Sequence, residues 1–165
     1  MLVGIISDTH DHLPLVRAAV GFFNSHGAEL VLHAGDFISP FVIPELAQCT
    51  MPVVGVFGNN DGDRALLLAK CAETGNVSIR GSFAEVDAGG FLIGLVHGHE
   101  KELLGSLVRS CAFDCIVHGH THEAGSYRVG EMLVVNPGEA CGYLSGSATL
   151  ALLDTEERSA RIVRL

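Results

Sequence analysis

Five short clusters carry most of the chemistry available to this chain: Asp8-x-His10, Gly35-Asp36, Gly58-Asn59-Asn60-Asp61, His97-Gly98-His99 and Gly119-His120-x-His122. Their donors are carboxylate and amide oxygens and imidazole nitrogens, a set suited to divalent cations of hard or borderline character. Seven of them, Asp8, His10, Asp36, Asn59, His97, His120 and His122, fit two octahedral or five-coordinate ions better than one tetrahedral structural zinc, and no cysteine is among them. A shared Asp36 would hold both ions, about 3.5 to 4 Å apart, and a bridging water would lose a proton near neutral pH to become the nucleophile. A covalent route lacks its usual parts: there is no Gly-x-Ser-x-Gly elbow, no Cys-x₅-Arg loop and no Gly-x₄-Gly-Lys-Ser/Thr loop.

The elements that must position these groups follow from periodicity. Each cluster comes after an apolar run, which places the candidate ligands at the carboxyl ends of strands, where open α/β sheets bind their ligands. Leu2 to Ile6, Leu30 to His33 and Val53 to Phe57 read as strands, alternating with helices over Pro14 to Phe23, Phe41 to Ala47 and Arg64 to Glu73. This βαβαβ order requires a parallel sheet. Asp11 is the expected cap of the first helix, with Pro14 in its first turn. Val77 to Val86 and Phe91 to Val96 read as a hairpin around Asp87-Ala-Gly-Gly90. A helix over Leu103 to Cys111 leads to a strand at Cys115 to Val117. The remainder is strand-rich, with Tyr127 to Val129, Met132 to Val135, Thr149 to Leu153 and Ala160 to Val163. Helices thin out toward the C-terminus, so the expected fold class is α/β: a four-layer αββα sandwich of two mixed sheets flanked by helices.

Composition narrows the function classes. The chain has 165 residues, 48% hydrophobic, which suits a single domain over 1–165. Ten basic against 19 acidic residues give a net charge of −9 and no basic stripe, so nucleic acid and anionic membrane are not expected partners. Five cysteines without a Cys-x-x-Cys pair, and an opening Met-Leu-Val-Gly without a basic n-region, point to a reducing cytoplasm. Cys111 and Cys115 are expected to pack in the core rather than bind metal. No apolar run is long enough to span a bilayer.

In this order the five clusters resemble the calcineurin-like metallophosphoesterase signature, and the likeness covers nearly the whole chain. It is nearest to the small, cap-free YfcE-type phosphodiesterases and the retromer scaffold subunit related to them. The resemblance implies Asp8, His10, Asp36 and His122 on one ion and Asp36, Asn59, His97 and His120 on the other. Mn²⁺ is the working metal it implies first, with Ni²⁺, Zn²⁺, Fe²⁺ and Mg²⁺ as alternatives. The neutral amide of Asn59 limits the negative charge of such a site and leaves it receptive to an anionic substrate.

One departure from the family pattern bears on mechanism. Relatives commonly have Gly-Asn-His-Asp/Glu, whose histidine protonates the leaving group, whereas this chain has Asn60. Asn cannot supply a proton, and an activated diester needs acid help least. Asn60 and His99 are therefore the candidate catalytic positions beside the ligands. Asp61 is read as positioning Asn60 or capping the next helix, and Asn136-Pro137-Gly138 as a late loop bordering the site. His12 is a weaker site candidate, and His26, His33 and His118 are read as structural.

The combined expectation is a cytoplasmic, dinuclear metal-dependent phosphodiesterase that hydrolyses a small phosphodiester by attack of a metal-bridging hydroxide. Its rivals are a non-catalytic metal-binding scaffold of the same fold and a nuclease of the same superfamily. A homo-oligomer stays open.

Overall fold

Side chains of β1 (Leu2–Ile6) alternate between two different cores, which is why its sequence is apolar at every position. Val3 and Ile5 enter a cluster between two sheets, while Ile6 enters a second cluster beneath helices. Gly4 faces Phe23 so closely that a Cβ there would stand 2.6 Å from the ring, so the first helix lies directly on the strand.

The computed structural model describes residues 1–165. After β1 come α1 (Leu13–Ser25), β2 (Leu30–His33), α2 (Val42–Leu46), β3 (Val53–Gly55), α3 (Arg64–Thr74) and β4 (Val77–Ile79). Then follow β5 (Phe83–Asp87), β6 (Leu92–Val96), α4 (Lys101–Ser110), β7 (Cys115–Val117), β8 (Gly125–Val129), β9 (Met132–Asn136), β10 (Thr149–Asp154) and β11 (Ser159–Arg164). One sheet has the order β11-β10-β1-β2-β3-β4 and the other β5-β6-β7-β9-β8. Within the first, β1, β2, β3 and β4 run parallel; within the second, β6, β7 and β9 do.

Nineteen buried residues, among them Ile5, Leu32, Val54, Ile93, Val117, Val135 and Leu153, fill the space between the sheets. On the outer face of the six-stranded sheet, Val16, Val20 and Phe23 of α1, Ile43 and Leu46 of α2 and Leu67 of α3 complete a 22-residue cluster. Helix α4 alone covers the outer face of the five-stranded sheet, with Leu104, Leu107 and Val108 against Ile116, Met132 and Val134. The four-layer αββα sandwich is thus present, with unequal outer layers. No helix is long and apolar enough to cross a membrane.

Three local expectations need correction. The expected strand over Val77 to Val86 is two strands in different sheets: β4 pairs with β3, and β5 pairs with β6. Arg80-Gly81-Ser82 breaks it, Gly81 taking φ +78 to turn the chain from one layer to the other. The cap of α1 is His12, which accepts from the Leu15 N–H, while Asp11 instead accepts from the N–H and hydroxyl of Ser39. Cys115 is core, but Cys111 is exposed, ending α4 in the left-handed region. No cysteine is in a disulfide.

Candidate metal centre

Both parallel strand sets release their loops at the same end of the sandwich, and those loops carry all seven candidate ligands. Asp8 and His10 follow β1, Asp36 follows β2 and Asn59 follows β3; His97 follows β6, and His120 and His122 follow β7. Five of the seven, Asp8, His10, Asp36, His120 and His122, have positive φ between 41 and 67°. Such backbone is uphill by roughly 1–3 kcal/mol per non-glycine residue, so its concentration here marks loops shaped for a site rather than for local ease. Two glycines permit the close approach. A Cβ on Gly58 would lie 2.1 Å from Asp36 Oδ1, and one on Gly119 1.9 Å from Ser7 Oγ and 2.6 Å from Asp8 Oδ2.

Asp36 stands at the middle. Its Oδ2 is 3.6 Å from His10 Nε2 and 3.4 Å from His97 Nε2. Asp8 Oδ1 is 3.4 Å from His122 Nε2 and 3.9 Å from His10 Nε2, and Asp8 Oδ2 accepts the His120 N–H. Asn59 Oδ1 is 3.1 Å from His97 Nε2, and the His120 ring centroid is 5.2 Å from that of His97. His97 donates from Nδ1 to the Ala34 carbonyl at 2.7 Å, which turns its Nε2 toward the site.

The two buried carboxylates are pulled in opposite directions. Burial raises the pKa of Asp8 despite the adjacent Ser7 hydroxyl and the nearby His97 and His122. Burial opposes ionisation of Asp36 too, but His97 and Asn60 outweigh it and hold that carboxyl well below the usual range. Burial lowers the pKa of His120 and of His118. Asp8 Oδ1 and His10 Nε2 are both buried and make no hydrogen bond. Oxygen and nitrogen lone pairs converging in this way repel one another unless a cation lies among them, so the donor set fits divalent metal.

The remaining candidates fall out differently. His99 lies beside the cluster, its ring 5.5 Å from His97 and 6.1 Å from His120, with a buried Nδ1 that has no partner. Asn60 gives its side-chain amide to Asp36 Oδ2 at 2.7 Å. Asp61 neither holds Asn60 nor caps α3, whose cap is Asp63. Its carboxylate gathers the N–H groups of Gly58, Asp36 and Ile38, clamping two ligand loops together. Asn136 likewise braces the His120 loop through the Gly119 carbonyl and Thr121 hydroxyl. His12 is 5.5 Å from the Tyr143 ring and serves its helix. His33 is fully buried between Thr9, the Gly35 N–H and the Phe37 ring, and His26 stacks on Phe22.

Two residues near the cluster escaped the sequence reading. Glu139 is completely buried and accepts from His122 Nδ1 at 2.8 Å. Cys141 has its sulfur within 4.8 Å of ring nitrogens of His10 and His122. Burial pushes the Cys141 thiol up to about 12, which keeps it protonated. Their one sequence signal is position, just beyond the Asn136-Pro137-Gly138 turn.

The calcineurin-like phosphoesterase superfamily domain matches residues 1–158. The chain belongs to that superfamily. It is 40% identical to the phosphodiesterase MJ0936 of Methanocaldococcus jannaschii over 165 residues, 100% of this chain and 99% of that relative. The solved structure of a novel archaeal phosphodiesterase superposes with a TM-score of 0.95 at 40% identity, covering 100% of both chains. YfcE, a phosphoesterase from E. coli, gives a TM-score of 0.73 at 23% identity over 99% of this chain and 98% of its own. Zinc-complexed Vps29 from Entamoeba histolytica gives 0.71 at 23% over 100% and 98%. The last two share the fold. Membership makes this chain a metallophosphoesterase and a hydrolase, of a family that uses divalent metals, and Asp8, Asp36 and His97, like His10, His122 and Cys141, form groups that could hold an ion.

Proposed function

We propose that this superfamily member is a phosphodiesterase working through two divalent cations, one held by Asp8, His10, Asp36 and His122 and the other by Asp36, Asn59, His97 and His120. The observation that carries the reading is the position of Asp36 Oδ2 between His10 Nε2 and His97 Nε2. When bound, the cations neutralise phosphoryl oxygens and make hydroxide available near neutral pH. The oxygen donors of Asp8, Asp36 and Asn59 suit Mn²⁺.

The chain's own residues account for the preference among esters. Asn60 has no proton to give, so a substrate whose leaving group departs unaided is turned over best, and diesters of acidic phenols are of that kind. His99, half-buried beside His97 and His120, is the side chain we assign to contact a substrate oxygen. The name of the 40% identical relative supports the diester class. Ten Lys and Arg against a net charge of −9 favour a small diester over a nucleic acid chain. All 165 residues act as one domain, since a single inter-sheet cluster runs from Val3 to Leu153. Five cysteines without a disulfide suit the cytoplasm.

The test is hydrolysis of bis(p-nitrophenyl) phosphate and p-nitrophenyl phosphate by Mn²⁺-loaded protein. A higher kcat/KM on the diester, lost on chelation, is expected; a better monoester rate would overturn the diesterase reading. Inactivity with two metals bound would favour a scaffold.

A further inference from the structure

A carboxylate with no exposure is costly to bury and needs compensation from its neighbours. Glu139, in the turn after β9, is 0% exposed. Its two oxygens accept from His122 Nδ1 at 2.8 Å, from the Leu144 N–H at 2.9 and 3.1 Å, from the Ser145 N–H and from the Cys141 thiol at 3.2 Å. An ionised carboxylate accepts only, so the proton of the neutral His122 ring is on Nδ1 and its Nε2 lone pair faces Asp8 Oδ1, 3.4 Å away. His97, on the other side of Asp36, is oriented instead by the neutral Ala34 carbonyl. The two imidazoles therefore have unequal supports: a carboxylate behind one and an amide oxygen behind the other.

We propose that Glu139 is a positioning residue that holds His122 in its Nδ1–H form and strengthens it as a ligand, making the metal position of Asp8, His10, Asp36 and His122 tighter than it would otherwise be. This rests on the two-metal reading. Glu139 also anchors the turn that presents the exposed Tyr143 and Leu144, so one buried group ties that turn to the metal position. A carboxylate behind a metal-bound histidine orients the ring and raises its basicity, and its loss typically weakens metal binding or activity by about 10–100-fold.

The experiment uses diamagnetic Zn²⁺ as the probe. Long-range ¹H–¹⁵N spectra of Zn²⁺-loaded wild-type protein should show His122 protonated at Nδ1 alone; a proton on Nε2 overturns the proposal without any variant. Zn²⁺ titrations of the wild type, Glu139→Gln, His122→Ala and the double variant complete the test. Glu139→Gln should weaken one of the two binding steps roughly 10–100-fold and leave the other nearly unchanged. In the His122→Ala background the same change should add nothing, because its effect runs through that ring. Unchanged binding by Glu139→Gln, or equal weakening in both backgrounds, would reduce Glu139 to a support for its own turn. Uptake of fewer than two ions by the wild type would sink the two-metal reading itself, whereas the spectra judge the Glu139–His122 pair separately.

Discussion

Asn60 grips Asp36 at both oxygens: its backbone N–H donates to Oδ1 at 2.9 Å and its side-chain amide to Oδ2 at 2.7 Å. The position at which the family resemblance implies a proton-donating histidine is therefore occupied here by a residue that restrains the central carboxylate. Two substitutions separate its roles. Asn60→Ala should loosen Asp36 and weaken metal uptake while leaving the order of substrates unchanged. Asn60→His should raise turnover of diesters with poor leaving groups more than that of nitrophenyl esters, since general-acid help is worth roughly 10²- to 10⁴-fold and grows with leaving-group pKa. Rates along a series of aryl and alkyl diesters provide the measurement. A flat ratio to wild type, at equal metal content, would show that residue 60 does not face the leaving group.

Asp36 Oδ2 lies between imidazoles from two different sheets, His10 after β1 and His97 after β6. Removing that carboxylate by Asp36→Ala should lower occupancy at both positions, not one. Elemental analysis of Mn²⁺-reconstituted protein reads the stoichiometry. Tight binding of two ions by the variant contradicts the bridging role, and loss of a single ion moves the bridge to another residue.

Gly119 has no space for a side chain, with Ser7 Oγ and Asp8 Oδ2 within 1.9 and 2.6 Å of where a Cβ would stand. Gly119→Ala must push the β7 loop from the β1 loop, separating His120 and His122 from Asp8. Strain of this kind typically costs about 1–3 kcal/mol. Chemical denaturation should register that loss, and Mn²⁺ affinity should fall with it. Wild-type values in both assays would mean that the loops part without consequence.

Acid should destabilise the fold through His33. Burial lowers its pKa from 6.5 to about 3. Above pH 6.5 the ring is neutral in both folded and unfolded chains and contributes no pH dependence. As pH falls below 6.5 the unfolded chain takes up a proton that the fold refuses, and stability drops by up to about 1.4 kcal/mol per pH unit until the folded value is reached. Urea denaturation of metal-free wild type and His33→Gln between pH 7 and about 5 isolates this contribution as a difference in slope. Parallel profiles would show that His33 titrates normally in the fold.

How much was legible beforehand depended on how local each signal is. The strand at Leu2 to Ile6 and the helix beginning at Arg64 are announced by apolar periodicity within a few residues, and the site's location by polar clusters at the ends of such runs. The break at Gly81 leaves only a weak local trace, a shift of the buried positions from Val77 and Ile79 to Ala84 and Val86, and only pairing partners reveal that the two halves belong to different sheets. Side-chain alternation specifies a face; it does not name the sheet.

Residue type alone identified oxygen and imidazole donors and their grouping on five loops. Which histidine nitrogen points inward and what lies behind each ring were decided by tertiary structure. Glu139 meets His122 across 17 residues of chain, and Asp61 reaches the Asp36 N–H across 25. Neither pairing has a motif, because a buried carboxylate takes whichever donors the packed layers bring within hydrogen-bond reach, and that choice exists only after the two sheets have closed on each other.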